Sequence, residues 1–334
     1  MSAPKIDEMR AYLPVDAVVR DGKPQIEWLK LNSVEFGEPF FHDTVARVRQ
    51  QKPHLQPIFT DLEALLMDHA ASSRQPSALI FHTSRCGSTV VANACRALDR
   101  SHVIAEPKVV DKLVSRLFTD AAVGSSKELL YLTLIRAAIG LLGTNETDAR
   151  GPYVVKFACP SLLQIKLLRR IWPGVPVLIL YRHPLEVAVS NLRNLPEWMN
   201  VNSNPDAAAA IAGVATRDLE GMTSEEFCSR ALGRYYAATE SVADETSTMI
   251  IEYKQLSVET IRRILEFFGV NPSESEIVKI EDSMRLYSKD SSRAFQPDSA
   301  DKKAGASPKT IEMVEKWAMP AYVRLLERSI KSEL

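Results

Sequence analysis

Three places along this 334-residue chain gather residue types that can handle charge. In the first, the apolar run Leu79-Ile80-Phe81 passes through His82 and Thr83 into Ser84-Arg85-Cys86-Gly87-Ser88-Thr89. It resumes as a helical pattern with Val90, Ala94 and Leu98 on one face and Val91 and Cys95 beside them. Strand, small-residue turn and helix make an anion site, because the free N–H groups and positive dipole end of the helix face the turn. Gly87 lets the backbone approach a ligand closely. Ser84, Ser88 and Thr89 offer hydroxyls, and Arg85 offers a fork for phosphate oxygens. The same turn is also what a well-capped helix start looks like. In the second place, Val177-Leu178-Ile179-Leu180-Tyr181 ends in Arg182-His183-Pro184, and Ser190 follows about two helical turns after Arg182. An Arg at a strand end and a hydroxyl on the next helix can clamp one phosphate together. The third is a pair, Glu106 after the strand 102–105 and Lys156 near the end of the strand 153–157, both at strand C-termini where α/β sheets hold ligands.

These positions need a parallel sheet to bring them together, and the chain from 77 onward alternates in the way that builds one. Short, apolar, β-branched strands are expected at 79–82, 102–105, 153–157, 177–181 and 249–253. Helices are expected at 127–142, 161–171, 184–195, 224–244, 258–268 and 308–330, with Pro184 at a first helical position and Ser257 and Ser307 as caps. Two long loops interrupt the pattern. One, 196–205, carries Trp198 and Met199. The other, 288–306, carries Arg293, Lys302, Lys303 and Gly305 and reads as a lid, with Lys302 or Lys303 reaching a phosphate. Residues 1–75 read as an N-terminal subdomain packing on the core that spans 76–334, with a strand at 26–31, helices at 42–51 and 61–71, and a linker at 72–76.

Composition narrows the partners. The chain is 46% hydrophobic and 25% charged with a net charge of −1, which gives no support for nucleic acid or a membrane surface. Neither a signal peptide nor a membrane span is expected, and Cys86, Cys95, Cys159 and Cys228 show neither disulfide-framework nor zinc spacing. A reducing cytoplasm is the expected compartment.

The turn is not a Walker A loop, since Ser88 stands where the Lys would be and Arg85 precedes Gly87. Ser84-Arg85-Cys86-Gly87-Ser88-Thr89 instead resembles the 5′-phosphosulfate loop of sulfotransferases that use 3′-phosphoadenosine 5′-phosphosulfate (PAPS), with Cys86 in place of the usual Ser. Arg182-x-Pro184 followed by Ser190 is similar to that family's 3′-phosphate element. Met249 to Leu256 and Phe267-Phe268-Gly269 resemble elements further on, with Lys254 and Gln255 replacing the family's acids. The likeness covers about residues 77–330.

The resemblance implies a P-loop-kinase-like α/β fold, a parallel sheet flanked by helices with a small N-terminal extension. It implies PAPS as co-substrate, no metal, and a small-molecule, carbohydrate or peptide acceptor with a hydroxyl or amine. Site residues carried over are Ser84, Arg85, Cys86, Gly87, Ser88, Thr89, Arg182, Ser190 and Lys302 for the nucleotide, with Arg85, Glu106 and Lys156 in the transfer. Tyr235 or Tyr236 is the adenine-contacting aromatic, at least one of the two being core. Glu106 resembles the base of the tyrosylprotein and bacterial branch, rather than the cytosolic His-base branch, and Lys156 the strand-end Lys near the bridging oxygen. His82 and His183 read as structural imidazoles, with His183 the substitute base if Glu106 is not one. Two rivals stay open: a nucleoside-triphosphate kinase of similar fold, which needs Mg²⁺ and a Walker Lys, and a non-catalytic protein that binds PAPS or its desulfated product, which needs neither Glu106 nor Lys156.

Overall fold

A computed structural model describes residues 11–31, 34–66, 73–120, 122–144, 151–287, 290–294 and 304–332. Its centre is a five-stranded parallel sheet of β4 (Ala78–His82), β5 (His102–Ala105), β6 (Tyr153–Lys156), β7 (Val177–Tyr181) and β8 (Thr248–Glu252), in the order β5-β6-β4-β7-β8. Alternation within strands supplies both faces. Leu79, Phe81, Val155, Val177 and Ile179 enter one apolar cluster, while Ala78, Ile80, Val154, Leu178 and Leu180 enter another on the opposite face. The chain leaves β4 toward β5 on one side and leaves β7 toward β8 on the other. The C-terminal ends of the paired strands β4 and β7 therefore form the switch point at which open α/β sheets take ligands.

Helices α2 (Ser88–Arg96), α9 (Val258–Phe267) and α10 (Glu274–Arg285) cover the second face. The first is covered by α4 (Ser126–Leu142), α5 (Ile165–Ile171), α6 (Pro184–Arg193) and α8 (Ser224–Glu240). A helix not expected from the sequence, α3 (Lys108–Thr119), runs from Glu106-Pro107 and buries Val109, Val110, Leu113, Val114 and Leu117. The expected loop 196–205 is a 3₁₀ turn at Glu197–Met199 leading to α7 (Pro205–Ala212), capped by Asn204. The expected helix 161–171 opens as a 3₁₀ turn, Cys159–Gln164, before α5. The expected helix 308–330 divides at Ala318 into α11 (Pro308–Trp317) and α12 (Met319–Ser332).

The N-terminal part is an antiparallel sheet of β1 (Tyr12–Arg20), β2 (Lys23–Lys30) and β3 (Ile58–Asp61), with α1 (Phe41–Gln51) between β2 and β3. Asp21 and Gly22, both at positive φ, make the two-residue hairpin between β1 and β2. Trp28, 0% exposed, and Ile26, Leu29 and Leu31 join the same apolar cluster as the first sheet face, so the two sheets share a core. In place of a helix at 61–71, β3 ends at Asp61 and a 3₁₀ turn spans Leu62–Leu66; residues 67–71 lie outside the described residues. Within 288–306, β10 (Asp290–Ala294) pairs with β9 (Leu286–Tyr287), so that stretch is not structureless. Lys302 and Lys303 lie outside the described residues. No helix among the described residues is long and apolar enough to cross a membrane.

Candidate active site

The turn from β4 into α2 is shaped by its backbone. Ser84, Arg85 and Gly87 all take positive φ, at 71°, 49° and 83°, which folds the chain around the N-terminus of α2. Two of the three are not glycine, so the turn carries strain that the surrounding bonds must offset. The Ser84 hydroxyl bonds Asn191 Oδ1 at 3.1 Å, and the Ser84 N–H donates to His82 Nδ1 at 3.2 Å. Gly87 is required twice over. It is left-handed, and a Cβ there would lie 2.5 Å from Leu256 Cδ1 and 3.0 Å from the Tyr253 ring.

Beside this turn sits a compact ionic cluster. The Lys156 ammonium, its residue 1% exposed, lies 2.7 Å from Glu106 Oε1 and 3.5 Å from Thr89 Oγ1. The backbone sets this pairing, because Ala105 and Lys156 are register partners in β5 and β6 and the Glu106 N–H donates to the Lys156 carbonyl at 2.7 Å. Glu106 itself adopts φ 51°. His82 Nε2 stands 3.3 Å from the same carboxylate oxygen. Since His82 Nδ1 accepts the Ser84 N–H, the ring proton belongs on Nε2, facing Glu106. Burial pushes the Glu106 carboxyl up, but the Lys156 ammonium and His82 outweigh it and hold the group below the ordinary carboxylate range. From the N-terminal part, the Phe40 ring lies 4.7 Å from the Lys156 ammonium, within cation–π reach.

At the second turn, Arg182 is 4% exposed and heavily engaged. Its Nε donates to Glu186 Oε2 at 2.7 Å, its Nη1 reaches the Arg85 carbonyl at 3.4 Å, and its guanidinium lies 4.0 Å over the Tyr253 ring. The two turns thus touch through Arg182 and Arg85. His183 caps α6 by accepting the Leu185 N–H, with Pro184 at the first helical position. Tyr236 donates to the Arg182 carbonyl at 2.8 Å and fixes the strand end from below. Ser190 lies half-buried on α6.

A cavity of about 380 Å³ adjoins the ionic cluster at Glu106, and none of Ser84 to Thr89 or Arg182 lines it. Glu106 lines it together with Phe40 and His42 of the N-terminal part, Asp111 and Phe118 of α3, Trp198, and Ile211 of α7.

The structure therefore brings Ser84, Arg85, Gly87, Ser88, Thr89, Glu106, Lys156 and Arg182 to one end of the sheet, with qualifications for some residues. The Arg85 side chain turns toward α6, giving Nε to Asn191 Oδ1 at 3.2 Å and Nη2 to the Asn194 carbonyl at 2.8 Å. The Cys86 side chain is corrected as a ligand contact. It is 1% exposed and points into the sheet toward the Leu180 carbonyl at 3.2 Å, and burial pushes its thiol up to about 11. Only its backbone is left for a ligand. Tyr235 is corrected as an adenine contact, because it is 0% exposed and packs edge-on to Trp198 in the core. Tyr236 is equally buried, and the aromatic ring at the turns is Tyr253. Asn191, Glu186, Tyr253 and Phe40 were not singled out in the sequence, and His82 was set aside. Glu186 carried a signal, since it lies four residues after Arg182 on the same helical face.

No family model and no curated protein matches the sequence. Among solved structures the chain is similar to a sulfotransferase from Alicyclobacillus acidocaldarius, with TM-score 0.45 and 17% identity over 75% of this chain and 94% of that one. Sulfotransferase STF9 from Mycobacterium avium is similar with TM-score 0.42 and 13% identity over 76% of this chain and 81% of that one. Mouse sulfotransferase SULT7A1 complexed with PAP is similar with TM-score 0.40 and 14% identity over 81% of this chain and 96% of that one.

Proposed function

We propose that the protein is a sulfotransferase that moves a sulfuryl group from PAPS to a hydroxyl or amine of a small acceptor. The observation that carries this reading is the position of the Glu106–Lys156 pair. It contacts Thr89 of the anion turn on one side and lines the cavity on the other. A donor held by its 5′ end over the turn and an acceptor in the cavity would meet at these two side chains.

In that arrangement the N-terminus of α2 and the Ser88 and Thr89 hydroxyls bind the 5′ end, while Arg182 and Ser190 hold the 3′-phosphate. The acceptor oxygen or nitrogen attacks sulfur, its proton passes to a Glu106 oxygen, and the sulfur–oxygen bond to the nucleotide phosphate breaks. Lys156 neutralises the charge growing on that leaving oxygen. The depressed Glu106 carboxyl explains how the base is controlled. Paired to Lys156 at 2.7 Å it is a weak base, and it strengthens when the donor's anionic centre competes for the ammonium. The N-terminal part acts as a subdomain that lends Phe40 to this centre, against the Lys156 ammonium.

Calorimetric titration of the full chain with adenosine 3′,5′-bisphosphate, 5′-AMP and ATP–Mg²⁺ tests the reading. The bisphosphate is expected to bind at least tenfold tighter than either of the others. Tighter binding of ATP–Mg²⁺ would overturn it in favour of a kinase. A bisphosphate preference without sulfate transfer to any acceptor would reduce the protein to a nucleotide-binding module.

A further inference from the structure

The carboxylate proposed as the base is held from two sides. Ile80 of β4 and Ala105 of β5 are both register partners of Lys156 in β6. His82, two residues beyond Ile80, and Glu106, next after Ala105, therefore approach the end of β6 from its two flanks. Lys156 Nζ at 2.7 Å and His82 Nε2 at 3.3 Å make their nearest approaches to the same oxygen, Glu106 Oε1. A carboxylate has two acceptor oxygens, so Oε2 is the one left for a third group. The Glu106 side chain keeps 22% of its surface exposed and lines the cavity, while that of His82 keeps 8%. The other ring nitrogen is anchored in the anion turn, where Nδ1 accepts the Ser84 N–H at 3.2 Å. Asp111 of α3 and Cys159 also neighbour the carboxylate, but burial pushes both up toward their uncharged forms.

We propose that His82 is a positioning residue for Glu106: it holds Oε1 through the transfer, so that Oε2 is the oxygen that takes the acceptor's proton. This rests on the base role given to Glu106 above. Lys156 cannot hold the carboxylate throughout, because on that reading the donor draws its ammonium away. His82 is anchored to the backbone instead of to a ligand, and its 3.3 Å contact can close as the ammonium withdraws. The Ser84 bond puts the ring's one proton on Nε2, so the imidazole is a neutral donor. A neutral N–H orients the carboxylate at less cost to its basicity than a second cation would. The same bond bars His82 from being the base itself, since the ring's lone pair is spent on Ser84. It also makes the ring a link between the turn that holds the donor and the group that deprotonates the acceptor.

Two measurements on the full chain test this. The first is nitrogen-15 NMR of the histidine rings at about pH 8, above the ordinary imidazole value of about 6.5. It needs neither donor nor acceptor, and the His82 signals are assigned by their loss in His82→Asn. The Nε2–H tautomer is expected, with its Nε2 resonance displaced in Glu106→Gln. An Nδ1–H tautomer, an imidazolium, or a resonance indifferent to Glu106→Gln would overturn the inference. The second is hydrolysis of PAPS, with water as the acceptor. His82→Asn offers an oxygen to the Ser84 N–H but is too short to reach Glu106. Its turnover at saturating PAPS should fall at least tenfold, with KM and bisphosphate affinity within twofold of the wild type. His82→Gln places an amide N–H near the Nε2 position and should recover turnover to within threefold of the wild type. Equal turnover losses in both variants, or a loss carried by KM alone, would mark a structural role and overturn the inference. In a Glu106→Gln background, His82→Asn should add less than twofold, and a full tenfold loss there would show that His82 acts apart from Glu106. Unchanged hydrolysis in Glu106→Gln alone would instead sink the base reading, and the bisphosphate titration stands apart from both.

Discussion

The turns after β4 and after β7 are both strand-to-helix junctions at the same end of the sheet, yet they are built by different means. The first relies on backbone shape, with three residues at positive φ and a glycine pressed against Tyr253 and Leu256. Its side chains are mostly spent on holding that shape: Ser84 and Arg85 on Asn191, and Cys86 on the interior. The second has no positive φ from Arg182 to Pro184 and is organised around one side chain, Arg182, held in place by Glu186 and by the Tyr253 ring. Backbone donors are fixed by the fold and cannot be mutated away one at a time, whereas a guanidinium can. The first junction should therefore tolerate side-chain changes that leave its φ angles alone, and the second should not.

The sharpest break in this comparison lies beside the first junction, at the side chain proposed as the base. Glu106→Gln keeps the shape and removes the basicity, so turnover should fall by a factor on the order of 10²–10⁴. Bisphosphate affinity should stay within twofold; steady-state kinetics with calorimetry checks both. Lys156→Met removes the cation that holds the Glu106 carboxyl down, so the acid limb of the remaining pH–rate profile should move to higher pH. The stability side has a definite sign. A depressed carboxyl contributes fully above its ordinary value, about 4.3, and that contribution is lost as pH falls below it toward the folded value. The melting-temperature advantage of the wild type over Glu106→Gln should accordingly shrink only below about pH 4.

Next in size is Arg182→Ala. It should weaken bisphosphate binding by roughly ten- to a hundredfold, about 1.4–2.8 kcal/mol, and abolish the preference over 5′-AMP. It also breaks the ion pair with Glu186, 6% exposed, and a broken buried pair costs about 3–5 kcal/mol of stability. The double variant Arg182→Ala/Glu186→Ala should recover the melting temperature but not the preference, which separates binding from folding. Gly87→Ala should cost about 1–2 kcal/mol in stability through its left-handed φ alone, and more if Leu256 cannot yield. The smallest effect belongs to Cys86→Ser. Its side chain faces the Leu180 carbonyl, so nucleotide affinity should stay within twofold and stability within about 1 kcal/mol.

The parallel sheet was legible because its strands are short apolar runs whose alternate residues feed opposite clusters, and all five expected strands begin and end within one residue of the observed bounds. The turn at 83–87 was legible from small residues before an amphipathic helix. What escaped falls into two kinds. Some was present as pattern and passed over. Val109, Val110, Leu113, Val114 and Leu117 recur at helical spacing, and Asp21-Gly22 is a hairpin turn between two apolar stretches. The rest was not local at all. No spacing rule connects Phe40 to Lys156, Tyr253 to Arg182 or Asn191 to Ser84, because these contacts exist only after distant segments have packed. Cys86 and Tyr235 show the converse. Each occupies a suggestive position in the chain, but the direction in which its side chain points was settled by the sheet and the core.

The Phe40 ring over Lys156 has an engineering consequence. The strands that carry the ionic cluster and the segment that covers it are separate stretches of chain, joined here by a shared apolar core. Substitutions at Phe40 and His42 would change the N-terminal share of the cavity wall while leaving Ile26, Trp28, Leu29 and Leu31 in that shared core. On the proposed reading, those two positions would adjust the acceptor side of the site from a segment separate from both junctions. A library confined to Phe40 and His42 would, on that reading, probe acceptor choice with both junctions unchanged.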